Sequence, residues 1–358
     1  MQKKPVSSDF MSVSYIVGKN ALGQAAVYFS GYPKIFVLVD ENTEKLCLPV
    51  FRNSLPEVSI TAVIKIKSGE LHKNIQSASL IWQWLTRLHA ERNSLLVNLG
   101  GGVITDIGGF AAATFKRGID FVNIPTTLLG QVDAAIGSKT GIDFEGYKNQ
   151  VGLFADAKAV IVDPVFLDTL DRKQFRSGFA EMLKYALIMD TALWEMMENR
   201  PFDAMAPDLG DMVSRCVADK ISIVEKDRKE TGLRKLLNFG HTVGHALETF
   251  FLNSGTPVTH GEAVAAGMIC ATMISSHRQG LDCNNPEIVF EMIDRNFARL
   301  NFAERDIPEI MKLMAQDKKA KAGELRFTLL TKRGNAVPDI VVPEAKVRES
   351  LLFYLRNQ

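Results

Sequence analysis

Short, nearly continuous apolar runs punctuate the first half of the chain: residues 34–40 (KIFVLVD), 95–99 (LLVNL), 121–124 (FVNI) and 159–162 (AVIV). Runs of this length without alternation are the pattern of strands covered on both faces, which predicts a mostly parallel sheet joined by crossovers. Residues 71–91 place Ile75, Leu80, Trp84 and Leu88 at helical spacing, so one crossover is expected to be a helix with those positions, and Trp82, in its packing. After Asp163 and Pro164 the period lengthens to that of helices, at roughly 174–198, 208–228, 239–252, 260–278 and 287–298. A polar helix near 306–316 and a hairpin of 325–330 with 336–342 across Lys332, Arg333 and Gly334 follow. The pattern therefore predicts an α/β domain over residues 1–168 and a mainly α-helical domain over 169–358, and shows no internal repeat.

A length of 358 residues with 46% hydrophobic content suits two globular domains, each with its own core. The 42 basic and 41 acidic residues leave a formal charge of +1, so no general attraction to nucleic acid or anionic membrane is expected and an anionic ligand must be held by particular lysines and arginines. Cysteines 47, 216, 270 and 283 have no short paired spacing, which fits a reducing cytoplasm. The opening residues lack a sustained apolar core, and no apolar run is long enough for a membrane span, so neither a signal peptide nor a membrane partner is expected.

Chemistry concentrates in a few segments. Residues 100–109 (GGGVITDIGG) follow a strand and can open a helix against phosphate, since missing side chains let the backbone approach closely. Asp40, at a strand end, can bond a ribose diol and so favours NAD over NADP, and Thr126 and Thr127 put hydroxyls at a sheet edge. Residues 131–141 (QVDAAIGSKTG) and 146–149 (GYKN) embed Asp133, Lys139, Lys148 and Asn149 among small residues, which suits a pocket with catalytic or phosphate-binding lysines, glycine-rich surface loops being the alternative.

Three polar clusters interrupt the helical half. In residues 177–186 (SGFAEMLKYA) the i,i+3 pair Glu181 and Lys184 shares one side of a helix. In residues 238–248 (NFGHTVGHALE) His241 and His245 share a face, so either both bind metal or one binds while the other handles a proton or an anion. His260 stands at a helix start, where Glu262 is an alternative ligand to Glu181. One carboxylate and two imidazoles leave a position open on a zinc-like ion, as a catalytic metal requires. Lys220, Arg234 and Asn238 add two cations and an amide suited to a phosphorylated or carboxylated substrate.

Taken together, residues 100–109, 125–141, 148–149, 178–185, 232–248, 260–268 and 317–319 closely resemble the 3-dehydroquinate synthase family of sugar-phosphate cyclases, in order and across both halves. The resemblance implies a Rossmann-like NAD-binding domain followed by a metal-binding helical domain, a homodimer, NAD and one divalent ion, usually zinc with cobalt as a substitute. It implies Glu181, His241 and His260 as metal ligands, with His245 in the substrate pocket. Around NAD it implies Asp40, Glu70, Lys73, Gly101, Gly102, Val103, Asp106, Thr126, Thr127, Lys139 and Lys148. For the substrate, a phosphorylated sugar acid, it implies Arg117, Asp133, Lys139, Asn149, Lys184, Lys220, Arg234, Asn238, His245 and one of Lys318 or Lys319.

The family's chemistry, so implied, converts 3-deoxy-D-arabino-heptulosonate 7-phosphate to 3-dehydroquinate by transient oxidation, phosphate elimination, reduction, ring opening and aldol closure. Neighbouring cyclases such as 2-deoxy-scyllo-inosose and valiolone-type synthases are the nearest alternatives, against which Arg234, Asn238 and His245 favour the dehydroquinate branch. Four positions depart from the commonest family pattern: Ala134 and Ala135 in place of serines, Ser138 in place of glycine, and Asp143 in place of asparagine. Asp143 adds negative charge beside a region expected to hold phosphate.

Overall fold

The computed structural model describes residues 13–198, 206–278, 285–316 and 324–356. Lys318 and Lys319 lie outside these described residues. The chain divides into two compact units, one of Met1–Thr126 with Ala134–Thr169 and one of Thr127–Asp133 with Leu170–Gln358.

In the first unit, β1 (Ser14–Val17), β2 (Ile35–Asp40), β3 (Ala62–Ile66), β4 (Leu95–Gly100), β5 (Asp120–Pro125) and β8 (Ala159–Val162) form one parallel sheet in the order β1-β8-β5-β4-β2-β3. The apolar runs read from the sequence are its central strands: every residue of β4 and β8 is buried, as is β2 up to Asp40. Helices α1 (Glu41–Leu46) and α2 (Leu48–Ser54) lead from β2 to β3, α3 (Ile75–Arg87) from β3 to β4, and α4 (Gly102–Thr114) from β4 to β5. From β2 the chain first moves outward to β3 and then returns to place β4 on the other side of β2. The carboxyl ends of β2 and β4 thus flank the point where strand order reverses, which is where open α/β sheets take ligands.

Two expectations for this unit are corrected. Ile75, Leu80 and Trp84 do not face the core: each is more than a third exposed, and α3 buries Ala78, Ile81 and Leu85 instead. Both stripes have helical spacing, and the one carrying the small Ala78 packs against α4 and β3. Trp82 does pack, its indole N–H donating to the Ala111 carbonyl at 3.1 Å. The glycine-rich stretch after β5 is a hairpin rather than loops, formed by β6 (Lys139–Phe144) and β7 (Tyr147–Phe154). Its two-residue turn, Glu145 and Gly146, has φ of 50° and 79°, the left-handed pair that hairpin twist requires.

The second unit holds α5 (Arg172–Ile188), α6 (Thr191–Glu198), α7 (Leu209–Lys226), α8 (His241–Asn253), α9 (His260–Ser276), α10 (Pro286–Asn296), α11 (Ile307–Gln316), the antiparallel hairpin of β9 (Arg326–Lys332) and β10 (Asn335–Val341), and α12 (Glu344–Arg356). The single helix expected over 174–198 is two, because Asp190 leaves the helical path and caps α6, accepting from the Leu193 N–H at 3.0 Å. The helix expected to be polar near 306–316 is amphipathic and buries Ile307, Ile310 and Met314.

Helix α9 is apolar all round and buried almost continuously from Gly261 to Ser275, with α5, α8, α10, α12 and β9 packed about it. Its closest approaches are made at glycines. A Cβ on Gly267 would lie 1.9 Å from the Gly240 carbonyl oxygen, and one on Gly261 would lie 2.3 Å from the Ser177 carbonyl oxygen. The start of α8 is pinned to the middle of α9, and the start of α9 to the first half of α5, in this way.

Gly267→Ala is expected to destabilise the protein by about 1–3 kcal/mol or more, because the obstacle is backbone that cannot swing aside. A urea titration checks this; an unchanged midpoint would show that α8 and α9 can separate freely.

Candidate metal and nucleotide sites

Helix α5 carries Glu181, Lys184 and Tyr185, α7 carries Lys220, and the 3-10 turn Leu233–Asn238 carries Arg234 and Asn238. His241 opens α8, with His245 one turn on, and His260 opens α9. The pinned helices bring Glu181, His241 and His260 together, one possible ligand atom from each lying within 4.8 Å of the others. Both imidazoles are anchored at Nδ1, His241 by the Phe239 carbonyl oxygen at 3.0 Å and His260 by the Glu248 carboxylate at 3.4 Å. Their Nε2 atoms stand 3.3 and 3.2 Å from the same oxygen, Glu181 Oε1. A carboxylate and two imidazoles so oriented fit a divalent ion of zinc type. The His245 ring lies beside the trio, 5.2 Å from His241 and 6.0 Å from His260, centroid to centroid. Glu262, the alternative ligand, is occupied as a helix cap, its Oε2 accepting from the Thr259 N–H at 2.7 Å and hydroxyl at 2.8 Å.

Burial keeps His241 below its ordinary value despite Glu181, so the imidazole stays neutral. For His260 burial works in the same direction, but Glu181 and Glu248 draw it up to about 10; a dication bound there displaces that proton.

A second acid organises the cations. Asp133 sits on a single π turn, Gly130–Ala134, and its Oδ1 accepts from the Tyr185 hydroxyl at 2.8 Å and Lys220 Nζ at 2.7 Å, with Lys184 Nζ 3.7 Å away. Lys184 also rests against Glu181 Oε2, and this ion pair is wholly buried. Burial alone would push the Asp133 carboxyl up, yet Lys184 and Lys220 hold it well below the usual carboxylate range. Burial brings Lys220 down to about 8 against the pull of Asp133. Arg234 is buried and donates to the Arg228 carbonyl oxygen at 2.7 Å, and Asn238 donates to Glu230 Oε1 at 2.8 Å. Tyr185, Glu248 and Glu230 escaped the sequence reading, although Tyr185 directly follows Lys184.

The loop leading to Arg234 is built on another missed residue, Asp227. Its carboxylate accepts from the backbone N–H groups of Thr231 (2.9 Å), Gly232 (2.7 Å) and Arg234 (3.0 Å), and from the Thr231 hydroxyl (3.1 Å).

In the first unit, α4 begins at Gly102 directly after β4, and no side chain caps Gly101, so the N–H groups of its first turn, Val103 included, remain for an anion. A Cβ on Gly100 would lie 2.5 Å from Ile104 and one on Gly102 3.0 Å from Ala134, so the turn has room for backbone alone. Such a cradle at a strand-order reversal fits a dinucleotide pyrophosphate. Asp40 ends β2 at this same reversal, and its Oδ1 caps α1, accepting from Asn42 and Thr43 N–H at 2.9 and 2.8 Å. The Thr126 N–H donates to the Gly100 carbonyl at 3.0 Å. In the second unit, Thr127 Oγ1 accepts from the Gly130 N–H at 3.0 Å.

Lys73 is buried, and its Nζ donates to Asp106 Oδ2 and to Asn149 Oδ1, both at 2.6 Å, while Lys148 lies 3.8 Å from Glu70. Glu70, Lys73, Asp106, Lys148 and Asn149 thus belong to one cluster. Lys139 is exposed at the start of β6. Arg117 stands apart from the cradle within this unit, past the far end of α4, about 20 Å along the helix from Gly102. Ser138 has a left-handed backbone, with φ 61°, and its hydroxyl donates to Asp156 Oδ1 at 2.5 Å.

Burial pushes the Asp227 carboxyl up, but the amides of Thr231, Arg234 and Gly232 outweigh it and bring it down to about 2. A folded value below the unfolded one adds stability above about pH 4 that is lost as pH falls towards 2. Asp227→Asn is expected to flatten this acid limb and to cost about 1 kcal/mol at neutral pH after allowance for solvent screening. Denaturant titrations at several pH values measure both; parallel curves for the two proteins would count against this role.

The chain matches the family models described as 3-dehydroquinate synthase N-terminal, over residues 63–177, and 3-dehydroquinate synthase C-terminal, over residues 178–320. A 3-dehydroquinate synthase of Parabacteroides distasonis is 43% identical over 324 residues, spanning 90% of this chain and 92% of that protein. Another, from Alkaliphilus metalliredigens, is 34% identical over 347 residues, spanning 96% and 97%. Among solved structures, a 2-deoxy-scyllo-inosose synthase complexed with carbaglucose-6-phosphate, NAD+ and Co2+ has the same fold, with TM-score 0.83 at 21% identity over 95% of this chain and 97% of that one. The 2-epi-5-epi-valiolone synthase of Streptomyces hygroscopicus subsp. jinggangensis, with NAD+ and Zn2+ bound, gives TM-score 0.81 at 25% identity over 100% and 99%. With both family models matched in sequence order and relatives at 43% and 34% identity over nine-tenths of the chain or more, the chain belongs to the 3-dehydroquinate synthase family.

Proposed function

We propose that this chain converts 3-deoxy-D-arabino-heptulosonate 7-phosphate to 3-dehydroquinate and phosphate, as a phosphorus–oxygen lyase of the shikimate route to chorismate and the aromatic amino acids. The observation that carries the reading is the trio Glu181, His241 and His260, the first two buried, beside the Asp133, Lys184 and Lys220 cluster, in a chain of this family. Residues 1–168 are taken as the NAD-binding part and 169–358 as the metal- and substrate-binding part, with Asp133 contributing to the latter. Glu181, His241 and His260 would hold Zn2+, or Co2+ in its place. Gly101, Gly102, Val103, Asp106, Asp40, Glu70, Lys73, Thr126, Thr127, Lys139 and Lys148 would hold NAD.

When bound, NAD supplies reversible oxidation of the substrate's C5 hydroxyl and the divalent ion supplies Lewis acidity at that oxygen. The protein's own groups do the rest. Lys184, Arg234 and His245 of the second unit and Lys139 and Asn149 of the first offer charge and N–H donors suited to a phosphate, which carboxylate acceptors could not. Lys220 and Arg234 suit the carboxylate end, and Asn238 suits the hydroxyls. Asp133 restrains Lys184 and Lys220, so that both ammonium groups are oriented before substrate arrives. No side chain is assigned to accept the C6 proton; the substrate's phosphate is itself a base of suitable strength.

The test follows phosphate and product mass after the metal-loaded protein and NAD+ are mixed with the substrate. One phosphate per 3-dehydroquinate without net NADH is expected, with turnover abolished by chelation, restored by Zn2+ or Co2+, and lost in Glu181→Gln. Turnover of glucose 6-phosphate or sedoheptulose 7-phosphate instead would move the chain to a neighbouring cyclase, and accumulation of NADH would make it a dehydrogenase.

A cytoplasmic homodimer completes the reading. Among the described residues no helix is long and apolar enough to cross a membrane. Phe144, Tyr147, Val151 and Phe154 are each exposed on the small β6–β7 hairpin, apolar surface of the kind that a second copy covers. Sedimentation is expected to give twice the 39.6 kDa chain mass, falling to one chain in Tyr147→Asp/Val151→Asp. A monomeric parent protein would overturn this part.

A further inference from the structure

The β6–β7 ladder is irregular at one place. Ile142 pairs with Val151 and Phe144 with Tyr147, so Asp143 alone faces Lys148, Asn149 and Gln150. Two extra residues on β7 form a bulge, and bulges turn a side chain out of the regular strand direction. Here Asn149 takes φ 50°, a left-handed backbone that asparagine tolerates better than most residues. Its N–H has left the ladder, and Asp143 Oδ1 accepts it at 2.7 Å. The Asp143 N–H in turn donates to the Lys73 carbonyl at 2.7 Å, and Lys73 Nζ donates to Asn149 Oδ1 at 2.6 Å. The three residues close a ring of hydrogen bonds that ties the bulge to the segment before α3.

This ring fixes what Asn149 can offer. An ammonium only donates, so the amide oxygen must be the atom facing Lys73, which turns the two N–H bonds of Nδ2 away from Lys73. Asn149 therefore has donors to offer there, suited to an anionic oxygen such as that of a phosphate. We propose that Asp143 is a positioning residue, which pins the bulge so that Asn149 presents its amide N–H groups to an anionic oxygen of the bound ligand. The unusual acid at this position replaces a missing ladder acceptor. It also leaves Glu70, Asp106 and Asp143 against Lys73 and Lys148, one negative charge more than an asparagine would. The inference rests on the reading above that Lys73, Asp106 and Asn149 face NAD or the substrate phosphate.

The test is a double-mutant cycle of Asp143→Ala and Asn149→Ala, read both as NAD+ affinity by calorimetry and as kcat and KM, with thermal midpoints recorded for each protein. Asp143→Ala is expected to weaken NAD+ binding or kcat/KM about 10-fold, the effect of releasing one strong hydrogen bond. The double variant should be no worse than Asn149→Ala alone, because Asp143 acts through Asn149. Asp143→Asn keeps an acceptor oxygen and should restore the parent kcat, with NAD+ bound somewhat more tightly at low salt as one negative charge is removed.

Additive losses in the cycle, or a lowered midpoint with NAD+ affinity and kcat/KM both unchanged, would overturn the proposal. Asp143→Ser replaces the alanine variant in the same cycle if the latter does not fold. Failure of the parent protein to turn over the substrate would sink the functional reading while the NAD+ arm still decides this one. Failure of the parent to bind NAD+ would sink both.

Discussion

Charge taken out of water has to be balanced where it lies, and the second unit is arranged around that constraint. Glu181 and Asp133 are two acids facing Lys184 and Lys220, with Glu181 and Lys184 sealed from solvent. Removing one member of such a set costs about 3–5 kcal/mol, since its partner is left charged and buried. The set is neutral by itself. On the proposed reading, a divalent ion held by Glu181, His241 and His260 would bring a surplus of two positive charges, equal and opposite to the charge of a phosphate dianion, so that each would make the buried position of the other less costly.

The same helices that bury these charges also determine their geometry. Because Gly261 and Gly267 let α9 approach the Ser177 and Gly240 carbonyls, the trio is defined by backbone contact rather than by flexible side chains. The Nδ1 bonds of His241 and His260 then leave the rings little freedom to rotate. In the first unit the division of labour is similar. The strand-order reversal between β2 and β4 provides the crevice, and glycines at 100, 101 and 102 keep it free of side chains.

Much of this was legible in the chain. Buried parallel strands announce themselves as unbroken apolar runs, and glutamate or histidine inside an apolar helical segment is costly enough to imply a task. The resemblance added which of His245, Glu262 and the others to group, and their separate environments are now visible in Glu262 as a cap and His245 beside the trio. What escaped was decided by partners distant in sequence. Ile75, Leu80 and Trp84 have the spacing of a buried face, but the neighbours of α3 selected Ala78, Ile81 and Leu85. Asp227 looks like one more polar loop residue until its four donors are in place. The β6–β7 hairpin carried a signal, Glu145-Gly146 between two β-prone runs, that the surrounding glycines disguised.

The short π turn bearing Asp133 has a further implication for how the protein can be divided. Residues Thr127–Asp133 group with the helical unit although first-unit sequence precedes and follows them, so the polypeptide passes from one unit to the other three times. Neither unit is a contiguous stretch of the gene. A fragment beginning at residue 170 would retain Glu181, Lys184 and Lys220 but lack Asp133, the second carboxylate of the set. The two halves consequently cannot be exchanged among relatives as freestanding modules by a single crossover, and a recombined protein inherits its charge balance intact only if this seven-residue excursion travels with the helices.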